Sequence, residues 1–136
     1  MSGKALSDRN KTQWASWVLQ GQYTNQCFSG NGGYAPHFKE IGDKYGPFDL
    51  TLVECGQYNQ RREAIHMMPE QSLQANIDLR CKVVMPIHWG AFDLALHKWR
   101  NPVIRLLAAA EKQTIKVATP YIGERFTIGQ DVPHKK

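Results

Sequence analysis

The N-terminal part of the chain alternates apolar and polar positions in a way that predicts two β-strands. In Thr12–Gln20 the alternation has a period of two residues, which is typical of a strand with one buried face. A polar turn over residues 21–25 then leads into a second short segment, Gln26–Ser29. Two such segments joined by a short turn predict an antiparallel hairpin.

Three later segments repeat their apolar positions at helical spacing and are predicted to be helices. They begin at Pro36, at Pro69 and at the pair Asn101–Pro102, in which Asn101 is expected to be the N-cap. In the second helix, Leu73 and Ile77 are expected to face the core. The apolar faces of the first and third helices contain Phe38, Ile41, Gly42 and Tyr45, and Val103, Leu106, Leu107 and Ala110.

Apolar runs between these helices predict the strands Asp49–Glu54, Lys82–Ile87 and Ile115–Ala118, and Arg125–Ile128 is expected to form an edge strand. The element order is a hairpin followed by alternating helices and strands. This order predicts an α/β fold with helices packed on a mixed sheet. The length of 136 residues predicts a single domain over 1–136.

Composition and charge exclude some classes of protein. No apolar run approaches the length of a membrane span, and the polar N-terminus does not resemble a secretion signal. Three cysteines without a CxxC spacing argue against a disulfide framework, so a reduced, cytoplasmic protein is expected. The net charge of +5 allows a nucleic-acid-binding module. Because the basic residues are scattered along the chain, that function is the less favoured one.

Polar residues follow three of the predicted strands, and in open α/β sheets ligand sites lie beyond the carboxyl ends of strands. Asn31 lies in a glycine-rich stretch, His66 precedes the second helix, and His88 follows the most apolar strand. Each residue also has a simpler interpretation. Asn31 fits a plain glycine-rich connection and His66 a capping or surface histidine, while His88 is either a core histidine or a metal ligand.

Four stretches together resemble one branch of the metallo-β-lactamase superfamily, which contains N-acylphosphatidylethanolamine-hydrolysing phospholipase D and its bacterial relatives. They are FSGNGGYAPHFKEIGDKYGPFDL, ECGQYN, HMMPEQS and PIHWGAFDLALH. The resemblance extends from about Asn10 to Glu124 and corresponds to the C-terminal half of such a hydrolase. It implies half of a four-layer αββα sandwich. It also implies a site for two divalent metals, usually zinc, that act on a phosphoryl or carbonyl oxygen.

The resemblance also implies a role for each of five residues. His88 matches the last metal-ligating histidine, and Asn31 stands where the family has an aspartate that bridges both metals. His66 matches a histidine expected to orient the substrate or to act as the catalytic acid or base. Tyr34 and Trp89 match aromatic residues that would form walls of the substrate-binding site.

Two departures from the family pattern weaken the expected metal site. Asn31 offers one neutral oxygen where an aspartate would offer two anionic ones, and the HxHxDH ligand motif does not occur in this sequence. Because a catalytic zinc takes about three protein ligands, weak or absent metal binding is expected. We therefore expect a truncated superfamily member that is inactive alone. The alternative is an active hydrolase whose site is completed by a second copy or by a partner chain.

A missing half would also leave one face of the sheet uncovered. Leu50, Leu52, Val83 and Met85 are expected to form an exposed apolar face. Soluble monomers rarely leave large apolar patches open to water. The sequence therefore predicts a homodimer that packs sheet on sheet, or a partner chain that supplies the other half.

Overall fold

A computed structural model describes residues 14–59, 65–91, 95–130 and 132–133. The described residues form eight elements in chain order. These are β1 (Trp17–Gln20), β2 (Asn25–Phe28), α1 (His37–Tyr45), β3 (Leu50–Glu54), α2 (Pro69–Asp78), β4 (Val83–Ile87), α3 (Asn101–Glu111) and β5 (Lys116–Val117). The predicted hairpin, helices and inner strands are therefore confirmed.

The five strands form one mixed sheet in the order β1-β2-β3-β4-β5. β1 is antiparallel to β2, and the later strands are parallel to their neighbours. Every crossover between parallel strands steps in the same direction across the sheet. Since such crossovers are right-handed, all three helices lie on one face. One sheet with one helix layer is the α/β half-sandwich that the sequence predicts.

The two faces of the sheet differ in burial. On the helix-covered face, a row of neighbouring residues, Cys27, Thr51, Val84 and Val117, is buried beneath the helices. On the other face, Phe28, Leu52, Val83, Met85 and Ile87 are only half-buried. Leu50, which the sequence places in an exposed apolar face, is buried. The apolar face is therefore present, but it is smaller and less open than predicted.

The buried face of α2 explains why the prediction for Ile77 is wrong. Leu73 is buried as expected, whereas Ile77 is exposed. Two polar residues lie at the centre of this face. Asn76 forms a buried hydrogen bond with the Thr51 hydroxyl, and the Ser72 hydroxyl donates to the carbonyl of Glu54. A pattern of apolar residues does not identify serine and asparagine as buried. The predicted buried face of α2 is therefore rotated toward Ile77.

Three further predictions need correction: the start of β1, the N-cap of α3 and the edge strand near the C-terminus. β1 begins at Trp17, residues 14–16 are not strand, and Thr12 lies outside the described residues. Asn101 is the first residue of α3 and not its N-cap, and its side-chain amide donates to the Tyr58 hydroxyl. Residues 125–128 do not form a strand. The N–H of Thr119, just beyond β5, donates instead to the carbonyl of Pro133.

No helix among the described residues is both long and apolar enough to cross a lipid bilayer.

Candidate functional site

The carboxyl ends of three parallel strands meet at one edge of the sheet. The register pairs Phe28 with Leu52, and Glu54 with Ile87. β2 ends at Phe28, three residues before Asn31, β3 ends at Glu54, and His88 follows the last residue of β4. This edge is where a ligand site is expected in an open α/β sheet.

Glu54, His66 and His88 come together at this edge. Glu54 Oε1 lies 3.1 Å from His66 Nδ1, and the Glu54 side chain is completely buried while that of His66 is 12% exposed. The rings of His66 and His88 stack with their centroids 5.5 Å apart. One potential ligand atom from each of the three residues lies within 4.8 Å of the other two. The sequence predicted roles for both histidines, whereas Glu54 was assigned only to the end of a strand.

The backbone holds Glu54 and His88 close to each other. The N–H of Cys55 donates to the carbonyl of Ile87, which joins the two strand ends. His88 has a φ of 62°, in the left-handed region, and this turns the chain sharply after β4. A Cβ on Gly56 would lie 1.9 Å from the carbonyl oxygen of His88. A larger residue at position 56 would therefore push these two loops apart.

The surroundings of Glu54 and His88 shift the pKa values of both side chains. Burial raises the pKa of the Glu54 carboxyl, while hydrogen bonds from His66 and from the Met67 N–H oppose that rise. The pKa of His88 is lowered by burial and, to a smaller extent, by the neighbouring His66 ring. The lowered pKa favours the neutral imidazole of His88, which is the form that binds metal ions.

The donor types at this edge fit a divalent metal. Nitrogen from imidazole and oxygen from carboxylate are common ligands of zinc and related ions. Both Glu54 oxygens are already engaged: Oε1 lies at hydrogen-bonding distance from His66 Nδ1, and Oε2 accepts the N–H of Met67 at 2.9 Å. His88 has no hydrogen-bonding partner among the described residues. This leaves His88 as the most available donor of the group.

Asn31 and Tyr34, in the loop after β2, are placed differently from the two histidines. The side chain of Asn31 is exposed, and Gly30 before it has a φ of 72°. The Tyr34 hydroxyl donates to Asp78, the last residue of α2, whereas His66 precedes the first residue of that helix. At about 1.5 Å per residue, the ten-residue helix separates these two points by about 13 Å. The Tyr34 hydroxyl therefore lies away from the two histidines, and its role as a wall of the substrate-binding site stays a prediction.

Trp89 lies directly beside His88 and borders an open cavity. Its indole N–H donates to the carbonyl of Pro86, and its ring stacks on Trp99 with centroids 6.2 Å apart. A cavity of about 870 Å³ opens here between α3 and residues 118–122. Its walls include His88, Trp89, Trp99, Ile104, Leu107 and Tyr121. The position of Trp89 beside His88 is compatible with its predicted role in substrate binding.

Comparison with known proteins places the chain in a family. The family model described as a beta-lactamase superfamily domain matches residues 1–89. An uncharacterised protein of Mycobacterium tuberculosis is 46% identical over 127 residues, which are 91% of this chain and 34% of that protein. N-acyl-phosphatidylethanolamine-hydrolyzing phospholipase D 1 of Caenorhabditis elegans is 32% identical over 115 residues, which are 79% of this chain and 32% of that enzyme.

A solved structure has a similar fold. Igni18, a metallo hydrolase from the archaeon Ignicoccus hospitalis, superposes with a TM-score of 0.59 at 22% identity, over 76% of this chain and 40% of its own. The chain spans about a third of the length of these two curated relatives. The chain belongs to the metallo-β-lactamase superfamily, and it is related to the N-acyl-phosphatidylethanolamine-hydrolysing phospholipases D.

Proposed function

We propose that this chain forms part of the active site of a metal-dependent hydrolase that acts on phosphodiester or lipid-like substrates. The observation that carries this proposal is the pairing of His66 and His88 at the carboxyl edge of the sheet, next to an open cavity. The relationship to phospholipases D suggests the substrate class. His88 would bind a divalent metal, for which zinc is our first choice, and Asn31 would add a weak oxygen contact.

A divalent ion bound at this edge would act as a Lewis acid on a phosphoryl or carbonyl oxygen of the substrate. The other steps belong to the side chains. His88 contributes a neutral nitrogen lone pair, which its lowered pKa keeps available. His66, packed against His88, is placed to orient the substrate or to move a proton to or from it. Trp89 offers an indole face to the part of the substrate that lies in the cavity.

We further propose that these 136 residues do not catalyse hydrolysis alone. The sequence contains no HxHxDH motif, and Asn31 carries no charge. A catalytic zinc needs about three protein ligands and an open position, so His88 and Asn31 are too few. Turnover would therefore require a second polypeptide that supplies the remaining ligands, or a site assembled from two copies of this chain.

The half-buried face of the sheet is the proposed contact surface for that second polypeptide. Phe28, Leu52 and Met85 form an apolar row across three strands of this face. When no such polypeptide is present, we propose that a second copy of the chain packs on the same row. A nucleic-acid partner is less favoured, since Arg80 and Arg105 already pair with Asp43 and Glu70.

A reducing compartment such as the cytoplasm suits the three free cysteines. Cys27, Cys55 and Cys81 are buried thiols. Burial raises the pKa of Cys27 to about 11, so very little reactive thiolate forms at neutral pH.

Hydrolysis of a chromogenic phosphodiester, bis(4-nitrophenyl) phosphate, with zinc or manganese tests the proposed function. We expect no turnover by the chain as a monomer. Turnover should follow when it is refolded with the part of the Mycobacterium tuberculosis relative that lies outside the matched region. His88→Ala should abolish this turnover, and His37→Ala, a histidine change on α1, should preserve it. Turnover by the chain as a monomer, or equal turnover with His88→Ala, would contradict the proposal.

A further inference from the structure

Glu54 is an unusual residue for the inside of a protein, because its carboxylate is completely buried yet belongs to no pair with lysine or arginine among the described residues. Buried carboxylates are costly unless hydrogen bonds satisfy both oxygens. Here Oε1 faces His66 Nδ1 at 3.1 Å, and Oε2 accepts the N–H of Met67 at 2.9 Å. The side chain is thus fully engaged at a site next to the proposed metal ligand.

The orientation of this carboxylate is fixed from several sides. The Met67 N–H can only donate, so it requires an acceptor oxygen at Oε2. The main chain of Glu54 is held as well: its N–H donates to the Ser29 hydroxyl, and its carbonyl accepts from the Ser72 hydroxyl. Because neither the backbone nor the side chain of Glu54 is free to turn, Oε1 must remain directed at His66.

A neutral imidazole has one nitrogen that donates and one that accepts. The proton shared between a carboxylate and an imidazole stays on the more basic group, which is ordinarily the imidazole. A hydrogen bond from Nδ1–H to Oε1 therefore leaves Nε2 of His66 without a proton. Nε2 has no other hydrogen-bonding partner among the described residues, and the ring to which it belongs lies against His88.

We infer that Glu54 is a positioning residue, which holds His66 in the Nδ1–H tautomer and keeps Nε2 as an unprotonated acceptor beside His88. What Nε2 then does, whether it takes a proton from the substrate or orients it, rests on the function proposed above. The tautomer itself does not depend on that function, because it exists in the protein without metal or substrate.

The ring nitrogens of His66 can be observed directly by two-bond ¹H–¹⁵N correlation spectra of ¹⁵N-labelled protein at neutral pH, without metal or substrate. The His66 signals are identified by their loss in His66→Gln. We expect the Nδ1–H tautomer in the unmodified protein. A predominant Nε2–H tautomer there would overturn the inference, whatever any variant shows.

The variant Glu54→Gln should reverse the tautomer. The Met67 N–H requires the amide oxygen, so the amide NH₂ must face His66 Nδ1 and donate to it. Nδ1 then becomes the acceptor, and the proton moves to Nε2. The matched control is Glu70→Gln, a surface carboxylate paired with Arg105, which should leave the tautomer unchanged.

A purely structural role for Glu54 would lower stability without reversing the tautomer, so a folded Glu54→Gln variant that keeps Nδ1–H would overturn the inference. The result is also separable from that of the hydrolysis assay. Loss of the expected turnover leaves the tautomer assignment intact, and an unexpected tautomer leaves the proposed metal site at His88 intact.

Discussion

The residues at and after the end of β3 differ from the loop after β2, although both lie at one edge of the sheet. Glu54 and His66 are buried or nearly so and are tied to each other and to Met67. Asn31 is exposed, and Tyr34 of the same loop is held by Asp78 at the far end of α2. The difference indicates that this chain fixes one side of the proposed site by itself. The Asn31 side depends on what binds to it.

The largest effect on stability is expected when the contacts between Glu54, His66 and Met67 are removed. Glu54→Ala leaves the buried N–H of Met67 without an acceptor and removes the partner of His66 Nδ1. We expect a loss of about 3 kcal/mol in the free energy of unfolding, measured by urea titration.

The matched change on the other side is Tyr34→Phe, which removes one exposed hydrogen bond to Asp78. Its cost should stay below about 1 kcal/mol. If Glu54→Ala costs no more than Tyr34→Phe, the proposed contrast between the two sides is wrong.

A smaller effect, on zinc affinity, is expected when the exposed Asn31 is replaced by a charged residue. Asn31→Asp restores an anionic oxygen where the family pattern has the bridging aspartate. We expect zinc affinity to rise by about tenfold, or about 1.4 kcal/mol, because a carboxylate attracts a divalent ion more strongly than an amide. Isothermal titration calorimetry measures this change.

Gln20→Glu serves as the control for added charge. Gln20 is exposed and pairs with Asn25 at the opposite edge of the sheet. The new charge there should leave zinc affinity nearly unchanged, since salt screens charges beyond about 10 Å. Equal gains in the two variants would mean that net charge, and not the position of Asn31, controls binding.

Much of the fold could be predicted from the sequence because its elements carry strong local signals. β3 and β4 are apolar runs, and Pro36, Pro69 and Pro102 lie at or next to the first residues of the helices. The errors in the predicted elements and buried faces occur where polar contacts or long-range pairing determine the structure. The buried side of α2 is set by hydrogen bonds of Asn76 and Ser72, which a hydrophobic period does not detect.

The candidate site was predictable only in part, for a related reason. His66 and His88 lie in motifs that the family resemblance covers, so each could be chosen from the sequence. Glu54 begins the stretch ECGQYN, which the resemblance also covers, but the resemblance implies no role for it. Its importance comes from contact with His66, twelve residues away along the chain. A carboxylate at the end of an apolar strand was the one available signal. Tyr34 shows the opposite case, in which a motif residue turns to a different partner.

The measurement that tests the central claim most directly is an equilibrium zinc titration of the metal-free chain, with the molar mass determined in parallel by light scattering. We predict weak, reversible binding that is lost in His88→Ala and retained in His37→Ala. Binding that survives the loss of His88, or that depends on His37 instead, would contradict the assignment of this edge as the metal site.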